Sequence, residues 1–200
     1  MHAYLAEGLS VPFYILGSST DSAYLAAELG LPYAFASHFA PGMMTEAVEI
    51  YRWRFKPSKF LDKPYVILGA NAILADTDEE AKRLATTQTQ SFLGIVTNEQ
   101  SGLKPPLAEE EIWNNYIQAT KVPHFGPVAF KEETLIRNEK RMVTEMTSFS
   151  FIGSPETVSA QLDCLSQVIE FDELMINSYI YDEEAQHHSY ELLMDIVKNK

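Results

Sequence analysis

Apolar runs alternate with amphipathic stretches along this chain of 200 residues. Residues 12–17 read P-F-Y-I-L-G and residues 33–37 read Y-A-F-A-S. The longest run, Y-V-I-L-G-A-N-A-I-L-A, covers 65–75, and a last one covers 172–180. Unbroken apolarity over so few residues suits strands covered on both faces, as in a parallel sheet. Helical patterns lie between them. One helix is predicted over about 20–29, ending at Gly30, a residue that accepts the left-handed conformation of a helix stop. A second covers about 44–55, with Ala47, Val48 and Tyr51 on one face and Pro57 beyond its end. Asp76 or Thr77 caps a third, whose first turn (Asp78, Glu79, Glu80) complements the helix dipole. Ser154 as N-cap and Pro155 at the first helical position open another, and the chain closes on a helix over about 183–198. The alternation predicts one α/β domain, residues 1–200, with parallel strands and outer helices.

The pattern loosens over 98–150. Gly102, Pro105 and Pro106 make a break, and helices over about 107–119 and 131–146 flank a loop holding Pro123, Gly126 and Pro127. Two readings of this helical excursion stand: a lid or substrate-facing element, or a helix pair that packs or dimerises.

Charge narrows the partners. The formal net charge is −13, which argues against nucleic acid and anionic membrane surfaces, since both reward clustered Lys and Arg. No apolar run of about 18 residues, signal peptide or lipidation motif is evident. A single cysteine, Cys164, excludes an intramolecular disulfide framework and fits a reducing cytoplasm. Lying beside Leu162 and Leu165, it is expected to be a buried structural thiol.

The chemistry concentrates after the first strand. Gly17 is followed by Ser18, Ser19, Thr20 and Ser22, hydroxyls at the carboxyl end of a strand and the start of a helix. Unpaired N–H groups and the helix dipole favour an anion there, so the cluster reads either as a phosphate site or as ordinary helix capping. Gly17 would let backbone approach a ligand closely. His38, at the end of the second strand, reads as pocket-lining or as a structural histidine bonded to a backbone carbonyl. Asn71 and Asn177 interrupt apolar strands, either as pocket residues or, the expected outcome, as satisfied buried amides. No His, Cys or carboxylate set has metal-ligand spacing, and no GxSxG elbow, phosphate-binding P-loop or GxGxxG is present.

The strings LGSSTDSAYLAAELGLPYAFASHFAP, YRWRFKPSKFLDKPYVILGANAILADTDEEAKRLA, FIGSPETVSAQLDCL and DELMINSY together resemble the bacterial luciferase-like monooxygenases, flavin-dependent (β/α)8 barrels. The resemblance implies a partial barrel: the four predicted strands match the family's fifth to eighth, and the first four βα units are not in the chain. A full barrel takes about 250 residues. In the family the hydroxyls after the fifth strand hold the flavin phosphate, a role that carries over onto Ser18, Ser19 and Ser22. Much of the family's substrate pocket, several of its catalytic side chains and a basic phosphate ligand belong to the missing half, so no catalytic residue is assigned. The function implied is an FMN-dependent monooxygenase that uses reduced flavin from a flavin reductase and O2 on a small organic substrate. On this reading the chain is a truncated and weakly active or inactive form. A deazaflavin (F420) cofactor is the close variant, and a non-catalytic flavin-binding or self-assembling half-barrel is the alternative function. Open sheet edges predict a homo-oligomer, most simply a homodimer.

Overall fold

The structure, a computed structural model, describes residues 11–99, 101–120 and 132–198. The predicted loop with Pro123, Gly126 and Pro127 lies outside the described residues. The first βαβ unit runs from β1 (Ile15–Gly17) through α1 (Thr20–Leu29) to β2 (Tyr33–Ala36). A 3-10 turn, Pro41–Met43, leads into α2 (Met44–Arg54), then β3 (Val66–Leu74) and α3 (Asp78–Val96). The remaining elements are α4 (Glu109–Thr120), α5 (Glu132–Thr147), β4 (Ser150–Gly153), α6 (Pro155–Val168), β5 (Glu173–Asn177) and α7 (Glu183–Lys198).

The predicted caps are in place. Thr77 accepts the Glu80 N–H at the start of α3, Ser154 accepts the Thr157 N–H at the start of α6, and Gly30 closes α1 with φ of 60°. All strand pairs are parallel. The four strands read from the apolar runs are neighbours in chain order, β1–β2–β3–β5, with Ile15 opposite Tyr33, Tyr33 opposite Val66 and Ile67 opposite Glu173. β1 is shorter than its apolar run because Pro12 has no N–H to pair, and pairing starts where the Ile15 N–H reaches the Pro32 carbonyl.

Two expectations are corrected. The segment Ser150–Gly153 is a fifth strand at the end of the helical excursion, paired with the distal half of β3 from Asn71 to Leu74. Cys164 is exposed, not buried. α6 buries Val158 and Leu165 and half-buries Leu162, a stripe at helical spacing that Cys164 falls beside.

Strand parity divides the core. Val66, Leu68, Ala70, Ala72 and Leu74 face a cluster with Ala23, Ala26, Val48, Tyr51, Val158 and Leu193 from α1, α2, α6 and α7. Tyr51 pins this layer: its buried hydroxyl donates to the Leu31 carbonyl at 2.9 Å and accepts the Tyr65 N–H at 3.1 Å. On the other face, Ile73 packs with Ala81, Leu84 and Ala85, so α3 covers the distal half of β3, and Phe92 continues into Ile112, Trp113 and Val143 of α4 and α5. The flanks of that second face stay open: Leu16 of β1 is 72% exposed and Met175 of β5 is 60% exposed.

Candidate functional site at the carboxyl ends of the strands

The start of α1 is knotted from its own hydroxyls. Ser19 is the N-cap, its Oγ accepting the Ser22 N–H at 3.5 Å. Ser22 Oγ turns inward, donating to the Ser19 carbonyl at 2.6 Å and lying 2.9 Å from the Tyr33 hydroxyl. The Tyr33 hydroxyl is also 3.1 Å from that carbonyl. Burial raises the Tyr33 pKa, against a smaller opposing effect of Ser22, so this phenol stays neutral and donates. Gly17 belongs to the same knot. A Cβ there would overlap both Oγ and Cβ of Ser22. Its φ is not positive, so the requirement is one of space, and the space is taken by Ser22.

The candidate phosphate residues therefore divide. Ser18 is exposed at the mouth of the turn, Ser19 is half-buried as the cap, and the Ser22 hydroxyl is engaged inside the chain. Helix-start N–H groups fit a phosphate. Asp21 in the first turn of α1 opposes one, and no basic side chain lies in that turn.

His38 is half-buried one strand over, beyond the end of β2. Its Nδ1 is 3.3 Å from the Gly69 carbonyl. A carbonyl only accepts, so Nδ1 carries a proton in this contact. The ring sits on Gly69, where a Cβ would come within 3.2 Å, and packs on Phe39 at a centroid distance of 4.4 Å. The carbonyl-bonded histidine is thus observed, with its ring on the second face of the sheet.

Neither asparagine is the satisfied buried amide that was expected. Asn177 is exposed, because β5 lies at the open flank. Asn71 is fully buried, yet neither its Nδ2 nor its Oδ1 has a hydrogen-bond partner. Its register neighbour on β4, Ser150, is taken by Gln88 Nε2 at 2.8 Å. Parity alone put Asn71 on the second face; its orphaned amide has no sequence signal.

At the start of α6, Asp78 accepts the Ser154 N–H at 2.7 Å and the Thr157 hydroxyl at 3.1 Å, and these bonds, the Ser154 one foremost, lower its pKa. Among the described residues no group of three or more His, Cys, Asp or Glu is placed to hold a metal, and no helix is long and apolar enough to cross a membrane.

The sequence profile of the luciferase-like monooxygenases matches residues 2–168. The chain belongs to the luciferase-like monooxygenase family. It is 39% identical to the uncharacterised protein YvbT of Bacillus subtilis (strain 168), over all of this chain and 53% of that protein. It is 36% identical to a luciferase-like monooxygenase of Escherichia coli (strain K12), over 94% of this chain and 50% of that one. The chain thus spans about half the length of the curated relatives it matches. Apo-MsnO8 superposes with a TM-score of 0.67 at 26% identity, covering 96% of this chain and 54% of that one. The fold is shared more distantly with the FMN complex of the 3,6-diketocamphane monooxygenase oxygenating constituent from Pseudomonas putida (TM-score 0.50, 19% identity, 92% of this chain and 47% of that one). It is also shared with the coenzyme F420 dependent tetrahydromethanopterin reductase of Methanopyrus kandleri (TM-score 0.54, 15% identity, 94% and 50%).

Proposed function

We propose that this chain is the flavin-phosphate half of a luciferase-like, FMN-dependent monooxygenase, with β1, β2, β3 and β5 standing for the family's fifth to eighth strands. The observation that carries the reading is the start of α1. Its N–H groups, the exposed Ser18 and the Ser19 cap open at the carboxyl end of β1, and His38 follows the end of the adjacent strand β2. Active sites of parallel α/β barrels are built at that end of the strands. Ser18 and the helix-start N–H groups bind the phosphate; Gly17 and Ser22 shape the turn behind them. His38, its Nδ1 proton held by Gly69, presents Nε2 toward the ring or substrate.

Bound reduced flavin supplies the electrons that activate O2. The substrate is a small organic molecule, and a separate flavin reductase in the cytoplasm supplies the reduced flavin. Shielding the reacting atoms from water takes a closed pocket. With Leu16 and Met175 open to solvent, the isolated chain is expected to yield hydrogen peroxide without oxygenated product. That exposed face also supports a second reading, a non-catalytic flavin-binding half-barrel that assembles with itself.

Titration with FMN, riboflavin and F420 tests both readings. FMN is expected to bind tighter than riboflavin by about ten- to hundredfold, the worth of one or two charge-assisted hydrogen bonds. Replacing Ser18 and Ser19 by Ala should remove most of that difference. Equal affinity for FMN and riboflavin refutes the phosphate site, and tighter F420 binding makes the cofactor a deazaflavin. Stoichiometric oxygenated product from the chain supplied with reduced FMN refutes the non-catalytic reading.

A further inference from the structure

We propose that the cleft between α3, the connection over 99–107 and α4 binds a free α-amino acid with an apolar side chain of about leucine size. None of the residues lining this cleft belongs to the hydroxyl turn or to the ends of β1 and β2, so the site stands apart from the flavin reading above.

The chain's own turn chemistry builds the cleft. α3 ends where Asn98 takes a φ of 57°, and the chain folds back so that the Glu99 N–H donates to the Gly94 carbonyl at 2.8 Å. The Glu99 carbonyl then lies over Gly94, where a Cβ would come within 2.9 Å of it. Farther on, the connection is clamped to α3. Thr87 Oγ1 donates to the Lys104 carbonyl at 2.9 Å, Gln90 Nε2 donates to the Pro105 carbonyl at 2.8 Å, and the Leu107 N–H donates to Thr86 Oγ1 at 3.2 Å. On the third side Ile112, Asn115, Tyr116 and Ala119 share one face of α4. Gly94 and Ala119 are too small to fill the space between the two helices. A volume of about 290 Å³ stays open, near the lower end for small-molecule sites.

The lining selects the ligand. Leu93, Leu107 and Ile112 supply an apolar floor. The rim carries one cation and one anion: Lys104 Nζ is 3.8 Å from the Glu99 carboxylate, and the two side chains are 46% and 69% exposed. A pair so long and so exposed adds little stability and opens readily. An α-amino acid complements both charges. Its carboxylate meets Lys104 and the exposed Asn115 amide, its ammonium meets Glu99, and its side chain covers the floor. The Tyr116 hydroxyl is already spent on Glu139; burial foremost, and that carboxylate, raise its pKa and keep it protonated. A ligand neutral overall also suits this rim and a chain of net charge −13 better than a plain carboxylate, which Glu99 repels, or a plain amine, which Lys104 repels.

Isothermal titration of the purified chain at millimolar ligand tests the site with L-leucine, leucinamide and 4-methylpentanoate, the last two lacking the carboxylate and the ammonium of leucine respectively. L-leucine is expected to bind about tenfold or more tighter than either analogue, the worth of one charge-assisted contact. Lys104→Met and Glu99→Gln should each weaken L-leucine by a similar factor, Lys104→Met to the level of leucinamide. Ala119→Leu fills the cleft from an exposed helix position, so it should abolish binding with an unchanged melting point, and it keeps the test readable if Glu99→Gln disturbs the turn at Asn98. No binding of L-leucine by the wild type overturns the proposal. So does 4-methylpentanoate binding as tightly as L-leucine, the mark of a plain carboxylate site, and so does undiminished binding by Ala119→Leu, which would put the ligand elsewhere.

Discussion

Replacing Gly17 by Ala separates what that position does for the fold from what it does for a ligand. The added methyl collides with both Oγ and Cβ of Ser22 at the first turn of α1. The Cα of Ser22 is 3.8 Å from the same point, an ordinary contact. Gly17→Ala should therefore cost about 1–3 kcal/mol, the usual penalty of overpacking. Ser22→Ala should not rescue it, because the offending Cβ remains and the hydrogen bonds to Ser19 and Tyr33 are lost. Ser22→Gly should rescue it, since only the 3.8 Å contact is left. Glycine itself costs about 1 kcal/mol in a helix, so the signature lies in the double-mutant cycles. Gly17→Ala should couple favourably to Ser22→Gly by about 1–3 kcal/mol and hardly at all to Ser22→Ala. Urea unfolding of the single and double variants at constant m supplies the numbers. A Gly17→Ala variant within about 0.5 kcal/mol of wild type refutes the steric account. The same rescued variant then reports on function: restored stability with FMN affinity still lost would mean that a ligand also needs the space at Gly17.

Three further outcomes are expected. Tyr51→Phe leaves the Leu31 carbonyl and the Tyr65 N–H without their buried partner and should cost about 1–3 kcal/mol in urea unfolding; a loss below about 0.5 kcal/mol would show that water replaces the hydroxyl. Asp78 has a lowered pKa, so its stabilisation is complete above its ordinary value of 3.8 and fades as pH falls through the folded value; Asp78→Asn should flatten the acid side of the stability curve below about pH 4, and an unchanged slope counts against the Ser154 and Thr157 bonds. The exposed Leu16 and Met175 should hold a homo-oligomer together, so light scattering at micromolar concentration is expected to show one in the wild type and a smaller species in a Leu16→Lys, Met175→Lys variant; a monomeric wild type refutes it.

What was legible in the sequence was mostly periodicity and capping chemistry. The apolar run 65–75 announced β3, and Thr77, Ser154 and Gly30 marked helix ends because a cap is a local hydrogen bond between near neighbours. β4 escaped because four residues carry too little alternation to stand out between a helix end and a cap, and its pairing to β3 is a long-range fact. Cys164 misled because adjacency to leucines does not fix a helix face; the spacing of Val158, Leu162 and Leu165 does. At the site, the hydroxyl cluster was visible as composition. The inward turn of Ser22 was not, since it depends on Tyr33, eleven residues later in the chain. Asn71 was visible as an odd residue in an apolar strand, but that neither atom of its buried amide finds a partner is a fact of the packed structure alone.

β3 pairs with β2, β4 and β5, and its last partner arrives late. Ile67 must wait for Glu173, and the Val66 N–H for the Asp172 carboxylate. On a ribosome adding about 5–20 residues per second, the roughly 100 intervening residues take some 5–20 s, during which an apolar strand edge has been made and stands unpaired. The acquisition of this sheet is therefore a race between translation and misassociation. Slowing elongation after residue 75, or removing the chaperones that shield nascent strands, should lower the yield of folded protein more than any comparable delay earlier in the chain.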